Sequence, residues 1–107
     1  MSALSPFAMR RAAFVAAKGA YESHRDECRP DDAADLATER AYERSYQPLV
    51  EAMSEAGIAA VRCPVSSVTE LADKLAIFKD EDMANLEAID DLLDVLIADA
   101  RLLGGVA

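Results

Sequence analysis

Tryptophan is absent from this 107-residue chain, and aromatic residues amount to only three Phe and three Tyr. A core must therefore be assembled from Leu, Ile, Val, Met and Ala, an alphabet suited to closely packed helices. Glycine and proline are scarce too, four of each, and strand-favouring residues nowhere alternate with polar ones over a useful length. Without such turns or a period-two pattern, a hairpin or β-meander has nothing to form from. No apolar run approaches the ~20 residues that span a bilayer. After Arg10 and Arg11 the stretch Ala12 to Ala17 is closed by Lys18, too early for a secretory signal. The expectation is a chain kept in the cytoplasm, with no membrane partner.

Cysteine occurs twice, as Cys28 and Cys63. Two distant thiols make no disulfide framework, and the plain reading is a pair of buried, reduced side chains. Histidine occurs once, as His24. Its position four residues before Cys28 puts both on one helical face, where Cys63 could complete a three-ligand metal cluster. Zinc sites, however, present two close pairs of ligands, and only one is found here. The i,i+4 carboxylate pairs Glu39/Glu43, Glu51/Glu55 and Asp90/Asp94 lack the Glu-x-x-His partners of a di-iron bundle, and read as solvated faces. No glycine-rich phosphate loop is present, and a triad built on one histidine has no support. The expectation is a non-enzymatic protein with no cofactor and no metal.

What the chain does have is negative charge, with 20 acidic against 11 basic residues. A formal charge of −9 disfavours direct binding to a phosphate backbone, which needs cations to displace counterions. The charge is uneven. Met1 to Pro30 holds five basic and three acidic residues, or +2, whereas Asp31 to Ala107 holds six and seventeen, or −11. From Asp80 to Asp99 there are eight Asp or Glu and neither Lys nor Arg. Such a surface suits a basic protein partner and could imitate DNA phosphates.

Apolar periodicity divides the chain into four helices. Ser5 followed by Pro6 opens the first, over about 6–28, with Phe7, Phe14, Tyr21 and Cys28 recurring every seven residues. Asp31 or Asp32 is placed to cap the second, over 32–56, carrying Leu36, Ala37, Ala41, Leu49, Val50 and Met53. Pro48 should kink or break it near Arg44, and Gly57 should end it. Residues 58–66 read as an extended connector. The third helix, 67–79, begins at the capping box Ser67-Val68-Thr69-Glu70 and carries Val68, Leu71, Ala72, Leu75 and Phe78. The fourth, 82–103, is capped by Asp80 or Asp82, with a seam of Leu86, Ile89, Leu93, Leu96, Ala100 and Leu103 that Gly104 and Gly105 stop.

The order Tyr42, Glu43, Pro48, Met53, then Pro64 before a serine-capped helix with Leu71, Lys74 and Leu75, and a last helix ending Ala100-Arg101-Leu102-Leu103-Gly104, resembles small uncharacterised helical proteins found in prophage regions of alpha-proteobacteria. The pattern covers about two-thirds of the chain, and it implies a phage-derived helical protein without implying an activity or a site.

These observations lead to an all-α antiparallel helical bundle, a single domain over 1–107 with three long helices and one short, completed by dimerisation. The candidate interaction surface is the aromatic stripe Phe7, Phe14 and Tyr21 together with the acidic residues Glu87, Asp90, Asp91 and Asp94. The aromatic stripe has two readings, intramolecular core or a surface that pairs with a second copy. Three functions remain: a self-associating or adaptor protein forming a homodimer, an acidic inhibitor of a basic DNA-handling protein, and a metal-binding sensor or enzyme using His24, Cys28 and Cys63.

Overall fold

The first helix starts where a serine oxygen and a proline allow it. In the computed structural model, which describes residues 4–83 and 91–104, Ser5 Oγ accepts the backbone N–H of Ala8 at 3.1 Å and Pro6 occupies the first turn. Helix α1 spans Pro6–Cys28, as the sequence predicts, and Pro30 follows its cap. The expected positions Leu86, Glu87, Ile89 and Asp90 lie outside the described residues.

Helix α2 differs from expectation at both ends. Residues 31–34 form a turn in which Ala34 N–H bonds Asp31 O at 2.9 Å, so neither Asp31 nor Asp32 caps the helix. Asp35 does, accepting the Thr38 N–H at 2.8 Å. The helix then runs unbroken over Leu36–Arg62, through both Pro48 and Gly57. Pro48 and Arg44 are exposed, so the carbonyl deprived of its donor lies on a solvated side of the helix. Gly57 serves packing rather than termination. It is buried, and a Cβ there would sit 3.1 Å from both the Met83 methyl carbon and the edge of the Phe14 ring. The helix ends instead at Cys63, which Pro64 holds in an extended conformation.

Helix α3 spans Val68–Asp80 and half fulfils the capping box. Ser67 Oγ accepts the Glu70 N–H at 3.1 Å, but the Glu70 carboxylate turns to Ser66, accepting its N–H and hydroxyl, each at 2.9 Å. Its other oxygen accepts the Ser5 hydroxyl, so one carboxylate ties the start of α3 to the cap of α1. At the far end Asp80 is the last residue of α3 and Asp82 adopts φ 53°. The Asp82 N–H bonds Lys79 O at 3.1 Å, so the left-handed residue closes α3, and the expected start of the last helix after it lies outside the described residues. Helix α4 is described over Asp91–Leu103, and Gly104 N–H bonds Ala100 O at 2.9 Å beyond it.

The described residues thus form four helices and no strand, an all-α bundle. Helices α1 and α2 are antiparallel, with His24 against Tyr42, Tyr21 against Tyr46, and Phe14 against Gly57. Helix α3 runs parallel to α1, since Ser5 meets Glu70 and Lys18 meets Glu81 at 2.8 Å. The core gathers at one end of the long hairpin, where Phe7, Phe14, Ala60, Val61, Ile77, Met83, Leu92 and Leu96 are buried. Beyond Phe14 and before Gly57 the two long helices bury no residue completely. Their far halves meet through rings, Tyr21 edge-on to Tyr46 at 6.5 Å and His24 stacked on Tyr42 at 5.6 Å, while Tyr42 and Tyr46 lie tilted against each other along α2 at 5.1 Å.

The outcome is long and flat, 60 × 38 × 17 Å, with a radius of gyration of 17.0 Å. A compact chain of this length has a radius near 13 Å.

Candidate interaction surface

Helical positions that face solvent ordinarily carry polar side chains, so the apolar residues left outside are informative. On α1 these are Met9 and Val15, 60% and 54% exposed, together with Ala12, Ala13, Ala16, Gly19 and Ala20. On α3, Val68, Ala72 and Leu75 are exposed, although the sequence places them in the apolar stripe. The helix is rotated from that expectation, burying Lys74 and Ile77 and leaving Leu71 and Phe78 half-buried. On α4 the expected seam is split. Leu92 and Leu96 enter the core, while Leu93, Ile97 and Ala100, spaced four and three residues apart, form a second stripe open to solvent.

The predicted site residues separate in the same way. Phe7 and Phe14, at 1% and 5% exposure, belong to the core of their own chain, so as an interaction surface they are corrected. Their face of α1 is the one that α2 and α3 cover. Tyr21 is half-buried against Tyr46. Asp91 is exposed and takes both guanidinium nitrogens of Arg62, each at 2.9 Å, joining the end of α2 to α4. Asp94 is exposed on the same helix, while Glu87 and Asp90 lie outside the described residues. Among the described residues, therefore, the buried Phe7 and Phe14 and the exposed Asp91 and Asp94 do not form one surface patch.

A metal cluster of His24, Cys28 and Cys63 is excluded by geometry. Cys28 ends α1 beside the start of α2, whereas Cys63 follows its last residue, and 27 helical residues span about 40 Å. No group of three or more His, Cys, Asp or Glu positioned to share an ion occurs among the described residues. Cys63 is half-buried against the core, but Cys28 is exposed, contrary to the expectation of two buried thiols. The His24 ring lies over Tyr42, its Nδ1 buried without a hydrogen-bond partner.

The chain matches no family model, no curated protein and no solved structure.

The strongest internal feature escaped the sequence reading. Lys74, wholly buried, donates to Asp99 Oδ2 at 2.5 Å, and its ammonium lies 6.0 Å from the centre of the Phe7 ring. One ion pair thus joins α3 to α4 beneath α1. Its trace in the sequence is faint: Asp99 stands three residues after Leu96 and four before Leu103, interrupting the apolar side of α4 with a carboxylate. At the surface, Lys18 bonds Glu81, and this hydrogen bond raises the lysine above its ordinary value against the opposing cost of desolvation. The Ser5 hydroxyl and, after it, the Ser66 N–H hold the Glu70 carboxyl below its ordinary value.

At the hairpin end, Tyr42, Tyr46, Asp31, Asp32, Glu39 and Glu43 line an open cleft of about 310 Å³. No helix among the described residues is long and apolar enough to cross a membrane.

Proposed function

We propose that the chain is a non-enzymatic, self-associating helical protein that acts as a homodimer. The observation that carries this reading is its accessible surface of 7404 Å². A folded monomer of 11.5 kDa exposes about 5,800 Å², so the chain leaves about 1,600 Å² more than its mass requires. Obligate homodimers bury about 2,000–5,000 Å² in total, or about half of that from each partner. The excess falls within the share of one protomer, and exposed Met9, Val15, Leu93 and Ile97 supply apolar side chains to fill it.

Sedimentation equilibrium of the full chain at micromolar concentration tests the proposal. The expected species has twice the 11.5 kDa chain mass and stays intact at high salt, because its contacts are mainly apolar. A monomer of unchanged helicity throughout that concentration range would refute it.

A further inference from the structure

Helix α4 carries its charges at Asp91, Asp94, Asp99 and Arg101. Its own chain uses two of them, since Asp91 takes the guanidinium of Arg62 and Asp99 takes the buried ammonium of Lys74. Asp94 and Arg101 are left over. Both are exposed, and among the described residues neither has a hydrogen bond or an ion pair. They are of opposite sign and seven residues apart, which puts them on one side of the helix but about 10 Å from each other, too far to pair.

That side borders the open apolar stripe. Leu93, Ile97 and Ala100 are exposed and recur by steps of four and three, the seam spacing of paired helices. Asp94 directly follows Leu93 and Arg101 directly follows Ala100, so both charges stand on the same flank of the seam. The opposite flank holds Leu96, buried in the core, and half-buried Leu103. The open stripe of α3 has no such charges. Beside Val68 and Leu75 the corresponding places are taken by Thr69 and Ala76.

We infer, resting on the homodimer reading above, that the Leu93, Ile97 and Ala100 face of α4 docks antiparallel on the same face of a second copy. A second copy is the occupant because the surplus surface of about 1,600 Å² matches one protomer's share of a homodimer contact. Charge on the flank of the seam sets the direction. In an antiparallel pair the two-fold axis stands across the helices and brings identical flanks together, so Asp94 of each protomer meets the partner's Arg101. Two ion pairs form. In a parallel pair the axis runs along the helices and sets this flank against the opposite one, where leucines stand, and both ion pairs are lost. The antiparallel contact is isologous, so it closes on two copies.

One apolar substitution tests the face and a charge exchange tests the direction. With helicity confirmed by circular dichroism, sedimentation of the full chain should show Ile97→Glu dimerising roughly a hundredfold or more weakly, and Val15→Glu, at an exposed position on α1, unchanged. Asp94→Arg and Arg101→Asp should each weaken dimerisation roughly tenfold, because each turns two attractive pairs into two repulsive ones. The double change rebuilds both pairs with their signs exchanged, and should return the dissociation constant to within about threefold of wild type. Single reversals without effect, or a double reversal no better than either, would overturn the antiparallel arrangement. A dimer that survives Ile97→Glu, or that Val15→Glu disrupts equally, overturns the α4 face while leaving self-association standing. A wild-type chain that is monomeric overturns both.

Discussion

Replacing Lys74 with methionine keeps the length of the side chain but removes its charge, leaving the Asp99 carboxylate 5% exposed and without its cation. Breaking a buried ion pair from one side costs about 3–5 kcal/mol, because the surviving charge can neither return to water nor find a substitute. That is a large share of the roughly 5–15 kcal/mol that holds a domain together. Lys74→Met also removes the ammonium from the face of Phe7. Asp99→Leu should be comparably damaging, since it strands the ammonium. The combined Lys74→Met/Asp99→Leu change removes both charges, and is expected to lie between neutral and about 4 kcal/mol more stable. Urea denaturation at fixed protein concentration measures all three. With a slope of about 2 kcal/mol per molar urea, either single change lowers the midpoint by roughly 2 M and the double change restores it. Arg62→Ala, which breaks the exposed pair with Asp91, is the control and should cost no more than about 1 kcal/mol. Single changes at Lys74 or Asp99 as mild as that control, or a double change equal to their sum, would refute a desolvated and coupled pair.

Two further predictions concern packing and pH. Gly57→Val forces branched methyl groups onto the Phe14 ring and should cost about 1–3 kcal/mol in a thermal or urea melt; an unchanged midpoint would show that the α1–α2 contact can yield there. Because the folded pKa of Glu70 is depressed, its contribution is present above the ordinary value of 4.5 and is lost as pH falls through the lowered folded value. Melts of wild type and Glu70→Gln from neutral to acid pH should show a difference that closes on the acid side, and a difference independent of pH would dismiss the link between Ser5 and Glu70.

The elements most legible in the sequence were those governed by neighbours along the chain. Ser5 with Pro6, and Ser67 three residues before Glu70, announce helix starts because a cap is satisfied within one turn. Cys63 before Pro64 is a local stop as well, yet Gly57 offered an earlier one that the chain ignores. A glycine marks a helix end or a close contact with equal force in sequence, and only Phe14 and Met83 resting against it decide between them. The heptad of Phe7 and Phe14 marked one side of α1 without deciding between core and docking surface, and in α3 and α4 apolar periodicity named a set of residues without saying which part would be covered. Val68, Leu75 and Leu93 belong to those apolar stripes, yet all three are exposed, as is Ile97.

By itself, then, the sequence determined the helical class, the first helix to the residue, the caps at Ser5 and Ser67, and the acidity of the second half. Those properties depend on propensity, on hydrogen bonds within one turn, and on a count of charges. Only the tertiary structure decided that Cys28 and Cys63 stand at opposite ends of α2, that Asp91 meets Arg62, that Lys74 and Asp99 share a buried site, and that Met9 and Val15 on α1 are left exposed. Each of these follows from how helices rotate and slide against one another, a choice fixed by side chains far apart in the chain and summed over the whole contact.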